Sequence, residues 1–241
     1  MLRGLQKVGC LRSWTPADRR RGPSSDATST DEDTQMISRR FLVGAMAAIP
    51  AAAVLARVAP ARAAGVGERP GDMAVGDPDA PVTVIEFFSL TCPHCEWFHK
   101  NIYSRLKTDY VDTGRVRYIA RDFPLNAPAL HAAVLARCAG RDRYFTFIDV
   151  LFQTFDDWTG ERDYLDKLTQ LGELGGLSRD RFEACLADKD LENAIFQSIA
   201  DAQTEYDVSG TPTLVVNGEK YEGKMQFEAL AKQIDRLLSG S

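Results

Sequence analysis

The sequence predicts an α/β fold, a mixed sheet with covering helices, interrupted by an inserted α-helical subdomain. Three observations carry that expectation. A strand–helix–strand pattern opens the globular part, about 75 residues of helical pattern follow without a strand, and a two-strand hairpin with a last helix closes the chain. The first strand is "VTVIEFFS", β-branched and aromatic, with apolar residues on both faces as expected of a central strand. Pro93 then starts a helix running to about Val111, and Gly114 precedes a second strand, "RVRYIARDF". Strand, helix and strand in that order suggest a parallel βαβ unit. After Pro124 come "APALHAAVLARCAG", stopped at Gly140, then "DRYFTFIDVLFQTF", then "DYLDKLTQLGEL", closed by Gly175 and Gly176. Ser178 can cap "RDRFEACLAD", and "DLENAIFQSIADAQTEYD" is long and amphipathic. This block is too long for a loop and reads as the inserted subdomain. "TPTLVVNGEKYEG" then gives two short strands around the hairpin signal Asn217-Gly218, and a helix from Gln226 to Leu238 ends the pattern.

Upstream, the chain changes character. Residues 1–35 carry Arg clusters, Ser, Thr and Asp with little apolar periodicity, and read as disordered and not part of the native precursor. Residues 36–63 have the layout of an export signal. Arg39 and Arg40 are followed by the apolar run Phe41 to Ala56, and Ala61-Arg62-Ala63 is a cleavage signal. The paired arginines before Phe-Leu are similar to a twin-arginine signal, and Met36 is the expected start. The run is shorter than the roughly 18–20 residues of a membrane span and contains Pro50, so cleavage near Ala63 is expected and the product is periplasmic. Residues 1–63 hold ten of the 29 Lys/Arg and five of the 34 Asp/Glu, so the 178-residue product carries a net charge of −10. That balance argues against nucleic acid as a partner. Residues 64–80, rich in Gly, Pro and Asp, read as linker and turn. The rest divides into a first sheet portion at 81–125, the helical block at 126–206 and a second sheet portion at 207–241.

The chemistry lies in "VIEFFSLTCPHCEWFHK". A zinc site needs about four ligands. The other cysteines are single and distant from Cys92 and Cys95, and the histidines show no second ligand pair, so no metal is expected. A purely structural bridge over so short a loop would constrain the unfolded chain little. A redox couple between a strand and a helix fits the context best, and it needs no cofactor. Pro93 suits the first helical position, where no N–H is required. Cys92 is then the N-cap, its sulfur exposed and facing the free amides of the first turn, donors that favour thiolate. The helix dipole supplies only ~0.3–1 kcal/mol, and one pKa unit corresponds to ~1.4 kcal/mol. A strongly acidic thiol therefore needs direct N–H bonds and a cationic or dipolar His94. Cys95, one step inside, should be the more buried sulfur and need a base. Glu86, in a strand otherwise apolar, is the candidate. It either points to solvent at a sheet edge or lies buried under the motif, and the two-sided apolar pattern favours burial.

"EFFSLTCPHC" resembles the active-site segment of the DsbA-like thiol–disulfide oxidoreductases. The helical insertion into a thioredoxin-like fold and "GTPTLVVNG" are similar to the same family, from about Val75 to Leu238. The resemblance implies a cis-proline facing the CxxC, a role that maps onto Pro212 with Thr211 before it. From the residues alone Pro212 can equally be a trans proline starting a strand. A cis bond would leave the Thr211 backbone open to pair with a substrate segment. The resemblance further implies an exported, monomeric oxidase acting on reduced, unfolded exported proteins and reoxidised by a membrane quinone-linked protein. A disulfide isomerase or reductase of the same fold is the nearest rival, since Thr before this proline occurs in isomerases. A metal-binding or redox-sensing domain without turnover is the rival from another class. Cys138 and Cys185 read either as two buried free thiols or as a second disulfide joining two helices. An oxidising compartment favours the disulfide, which is also similar to a feature of some relatives. His99 is expected on the helix surface, His131 in a structural role, and one of Trp97 and Phe98 against the sheet. Phe145, Phe147, Phe152 and Phe155 are expected in the subdomain core.

Overall fold

A computed structural model describes residues 67–240. The proposed export signal, its cleavage near Ala63 and the reading of residues 1–35 all lie outside the described residues. The sheet has five strands in the order β1-β3-β2-β4-β5. β2 (Val82–Phe88) is central and buried at every residue. It runs parallel to β3 (Val116–Asp122) and antiparallel to β4 (Thr213–Val216). Short edge strands, β1 (Met73–Val75) on β3 and β5 (Glu219–Lys220) on β4, complete it. Because successive side chains alternate faces, β2 feeds two cores. Val82, Val84 and Phe88 join the larger core with Phe98, Ile102 and Leu106, whereas Ile85 and Phe87 join Ile119, Ala202 and Val215 on the other face.

The helix after β2 starts as α1 (Pro93–Phe98), with Cys92 at its N-cap. It passes through a π-helical turn (His99–Tyr103), α2 (Ser104–Leu106) and a second π-helical turn (Lys107–Val111). The sequence anticipates one plain helix to Val111. The π turns have no sequence signature, and such turns often sit beside functional sites.

Six helices separate β3 from β4 in the chain: α3 (Ala127–Cys138), α4 (Arg141–Gln153), α5 (Phe155–Trp158), α6 (Tyr164–Leu174), α7 (Arg179–Ala187) and α8 (Lys189–Tyr206). Their ends follow local chemistry. Asn126 accepts from the Ala129 amide at the start of α3, and Ser178 accepts from the Arg181 amide at the start of α7. Gly140, at φ 88°, makes the turn from α3 to α4, a conformation a side chain resists. Trp158, Leu151 and Tyr144 anchor the subdomain core at 0% exposure, with the Trp158 indole donating to the Leu151 carbonyl. The chain returns through β4, a two-residue Asn217-Gly218 turn with both φ angles positive, and β5. It finishes in α9 (Phe227–Ser239), whose Leu230 and Ile234 pack into the larger core.

The segment read as linker is not one throughout. It contains β1 and a fastened strap ahead of it. Arg117 pairs with Glu68 at 2.8 and 2.9 Å, Arg69 pairs with Asp201 and Glu205 of α8, and Arg121, only 2% exposed, pairs with Asp72 at 2.8 and 3.1 Å. A strand of three residues is too short to show a period, and the ion pairs that fix the strap are long-range, so neither is visible in the local sequence.

Candidate active site

The end of β2 delivers Ser89–Thr91 into a tight turn, closed by the Cys92 amide on the Ser89 carbonyl at 3.1 Å. Pro93 occupies the first helical turn, and the Cys95 and Glu96 amides return to the Cys92 carbonyl at 3.0 and 3.1 Å. Both cysteines carry free thiols. Opposite them, the Thr211–Pro212 peptide bond is cis, and the Thr211 carbonyl accepts a hydrogen bond from the Cys92 thiol at 3.4 Å. Among the described residues no hydrogen bond takes up the Thr211 N–H, so the backbone edge beside Cys92 is open.

The two sulfurs have opposite environments. Cys92 is held down at a pKa of about 5. The Cys95 thiol contributes most, and the Thr211 hydroxyl and the backbone amides of Cys95 and His94 add to it, against the opposing effect of burial. Cys95, wholly buried, is pushed far above the ordinary thiol value, first by burial and then by the Cys92 sulfur and the Glu86 carboxylate. Its one stabilising backbone contact is the Ser89 amide at 3.5 Å. The Thr211 hydroxyl lies beside both sulfurs, buried and without a hydrogen bond of good geometry.

One expectation changes here. Cys92 was expected to be exposed; it is only 7% exposed, because the cis loop covers its sulfur, though it remains more open than Cys95 at 0%. His94 presents an exposed ring, and its backbone amide is among the groups that lower the Cys92 thiol.

Glu86 is 3% exposed, so the edge-strand alternative does not hold. Its carboxyl accepts a hydrogen bond from the Tyr118 hydroxyl on β3. Burial pushes its pKa up to about 8; the Tyr118 bond opposes the rise and the Cys92 charge adds to it. It lines a narrow cavity between the sheet and α4, shared with Tyr118, Tyr103 and His99 and otherwise apolar, with Phe145 and Phe152 on its wall. On the open side, His94, Trp97, Thr211, Pro212 and Met225 line an open groove.

The family model described as "Thioredoxin" matches residues 68–236. The solved structure of α-DsbA1 from Wolbachia pipientis aligns with a TM-score of 0.67 at 32% identity, covering 72% of this chain and 94% of that one. This chain belongs to the DsbA-like thiol–disulfide oxidoreductase family. A Rickettsia bellii relative, provisionally named a protein-disulfide oxidoreductase, is 32% identical over 171 residues, 70% of this chain and 66% of the relative. The chain spans 60–66% of the length of the Rickettsia relatives it matches. BdbD from Bacillus subtilis shares the fold at a TM-score of 0.64 and 22% identity, covering 71% of this chain and 95% of that one. The DsbA-like assignment agrees with the thioredoxin-like sheet and the helices placed between β3 and β4.

Away from the CxxC, Cys138 and Cys185 are joined in a disulfide linking the end of α3 to α7, with Cα atoms 6.1 Å apart. Phe98 is fully buried and Trp97 is 47% exposed at the groove. His131 stacks on Tyr164 and bonds its hydroxyl at 3.0 Å, a structural arrangement. Phe147, Phe152 and Phe155 are buried, and Phe145 packs partly buried against them. His99 departs from expectation. Its side chain is 11% exposed, it bonds Asp149 of α4 at 2.7 Å, it stacks on Tyr103 and it lies tilted against Phe152, each with ring centroids 4.8 Å apart. Tyr118, Tyr103 and Asp149 were not singled out from the sequence. Tyr118 was the one that could have been found, since its parallel partner on β2 is Val84, two residues from Glu86 on the same face.

Proposed function

We propose that the protein is an exported, periplasmic thiol:disulfide oxidase that donates a Cys92–Cys95 disulfide to reduced substrate proteins. The observation that carries this reading is the opposed acidity of the two sulfurs, with Cys92 low and Cys95 high. A thiolate stable at neutral pH is a good leaving group and stabilises the reduced form, which makes the couple oxidising. A substrate segment docks in the groove at Trp97 and Met225 and pairs with the open Thr211 backbone. A substrate thiolate attacks the Cys92 sulfur; the S–S bond breaks, and Cys95 leaves as thiolate and takes a proton from Glu86. A second substrate thiolate then attacks the substrate sulfur of the mixed disulfide. Cys92 leaves as thiolate, the substrate loses two electrons, and the CxxC is left reduced. Glu86 takes the proton back from Cys95 when a membrane quinone-linked partner restores the disulfide. Substrates are reduced, unfolded exported proteins, and the enzyme works as a monomer.

The test is the potential of the couple in glutathione buffers, together with the rate at which the oxidised protein introduces disulfides into a reduced, unfolded substrate. A value above about −200 mV and rapid oxidation abolished by Cys92→Ser are expected; a value near the roughly −270 mV of thioredoxin would overturn the oxidase reading. Thr211 before the cis proline favours an isomerase as the second reading. Reactivation of a scrambled-disulfide substrate by the reduced protein, faster than oxidation of a reduced one, would support it.

A further inference from the structure

We propose that Tyr118, Tyr103, His99 and Asp149 form a side-chain relay that carries protons between the buried Glu86 carboxyl and solvent. The proposal rests on the reading of Glu86 as the proton partner of Cys95 and adds the route by which Glu86 is recharged.

After Glu86 has given its proton to Cys95 it is left as a carboxylate, which at neutral pH refills from water because its pKa is about 8. It must empty again before it can accept the Cys95 proton during reoxidation, so Glu86 has to exchange protons with solvent. The carboxyl is 3% exposed, and the cavity it lines is too narrow to hold a water molecule. Besides Glu86, the polar side chains on that cavity are Tyr118, Tyr103 and His99. Their rings follow one another, although no hydrogen bond joins Tyr103 to Tyr118 or to His99. The Tyr118 hydroxyl is bonded to Glu86, the Tyr118 and Tyr103 rings lie 4.6 Å apart, and the Tyr103 and His99 rings stack at 4.8 Å. His99 Nε2 meets Asp149 at 2.7 Å, and Asp149 is 45% exposed. The charged and titratable groups acting on this line are Glu86 from β2, Asp149 and Tyr144 from α4, Asp112 after the second π turn, and the two sulfurs.

The Tyr103 hydroxyl is the most informative member. It is buried and has no hydrogen-bond partner among the described residues. A buried hydroxyl left unsatisfied destabilises a fold, and phenylalanine in its place would be neutral or better. With no bond to Tyr118 or His99 in this structure, the relay requires the Tyr103 hydroxyl to make those bonds transiently, to one neighbour and then the other, and an unpartnered hydroxyl is free to do so. Burial raises both tyrosines well above their ordinary pKa, so they pass protons without ionising. An imidazole can take a proton on one nitrogen and release one from the other.

The test is resolution of a Cys92–glutathione mixed disulfide by Cys95 in a single turnover, followed by acid quench and mass. Below about pH 8, Glu86 holds a proton that must leave before it can accept the one from Cys95. At about pH 6, Tyr103→Phe and His99→Phe should each slow resolution by at least about tenfold, and near pH 9 they should match the parent. Thermal stability of Tyr103→Phe should be unchanged or higher. Equal losses at both pH values, or no loss at either, would overturn the relay. Glu86→Gln separates the two readings. If it is slow near pH 9 while the relay variants show no loss at either pH, Glu86 stands as the base and the relay falls. If it is as fast as the parent near pH 9, the base reading falls and takes the relay with it.

Discussion

Cys92 and Cys95 carry the same side chain three positions apart, and their surroundings drive them in opposite directions. Cys92 caps a helix and collects donors, while Cys95 sits one turn in, where burial and the neighbouring Glu86 charge oppose ionisation. Glu86 is itself shifted, from an ordinary carboxylate value to about 8, with burial as the first cause. Its folded pKa lies above its unfolded one, so the protonated carboxyl favours the fold at low pH. That contribution is complete below about pH 4.5 and is lost as pH rises to about 8. Glu86→Gln removes this dependence. With the CxxC oxidised the Cys92 charge is gone but burial, the first cause of the rise, remains, so stability of the parent, read from denaturant midpoints, should fall relative to Glu86→Gln as pH rises above about 4.5. Parallel profiles would show that Glu86 keeps an ordinary pKa. A carboxylate in an apolar strand is a signal the sequence displays, so this residue was legible. Its partner was less so, because a tyrosine in a strand is ordinary and only the parallel register brings Tyr118 to it. His99 is not legible in the same way, because one polar residue on a helix defaults to the surface and α4, which covers it, arrives from about fifty residues later.

The helical block is where long periodic elements made the reading easy. Helices of nine or more residues with Asn126, Ser178 and Gly140 at their ends announce themselves locally. β1 and the two π turns did not, since three residues carry no period and a π turn leaves the apolar stripe nearly unchanged. The strap before β1 is hidden for a different reason: it is held by charges on β3 and α8 rather than by its own composition. The Cys138–Cys185 bond ties the end of α3 to α7 across a sequence separation of 47. Closing a loop of that length in the unfolded chain corresponds to about 4 kcal/mol, with removal of native disulfides costing roughly 2–5 kcal/mol. A Cys138→Ala/Cys185→Ala variant should therefore lose about 2–4 kcal/mol in denaturant unfolding. The rate at which the Cys92–Cys95 couple oxidises a substrate peptide should stay within about twofold of the parent, because substitutions at separated sites act nearly independently. A larger loss of rate would mean that the subdomain positions the CxxC and does not merely cover it.

Taken as a whole, the molecule links its redox state to its folding. The Cys92 thiolate is stabilised only in the native reduced form, because the unfolded chain has neither the helix amides nor the Cys95 thiol aimed at the sulfur. Its folded pKa of about 5 lies below the ordinary thiol value of 9.0. The resulting stabilisation is complete above about pH 9 and is lost as pH falls through about 5. The oxidised form has no thiolate and gains nothing from this arrangement. Thermodynamic linkage then requires that whatever makes the couple oxidising also makes the reduced protein harder to unfold than the oxidised one, the reverse of what a structural disulfide does. At about pH 7 the dithiol form should have the higher denaturant midpoint, by a few kcal/mol, and the gap should widen from about pH 5 to 9. Cys95 does not disturb this window, since its upward shift acts only above the ordinary thiol range. The check is paired unfolding curves of the two redox forms at several pH values, with the Cys138–Cys185 bond verified intact by mass. An oxidised form more stable than the reduced one would mean a reducing couple, and the acidity of Cys92 would then have to serve attack on disulfides rather than their donation.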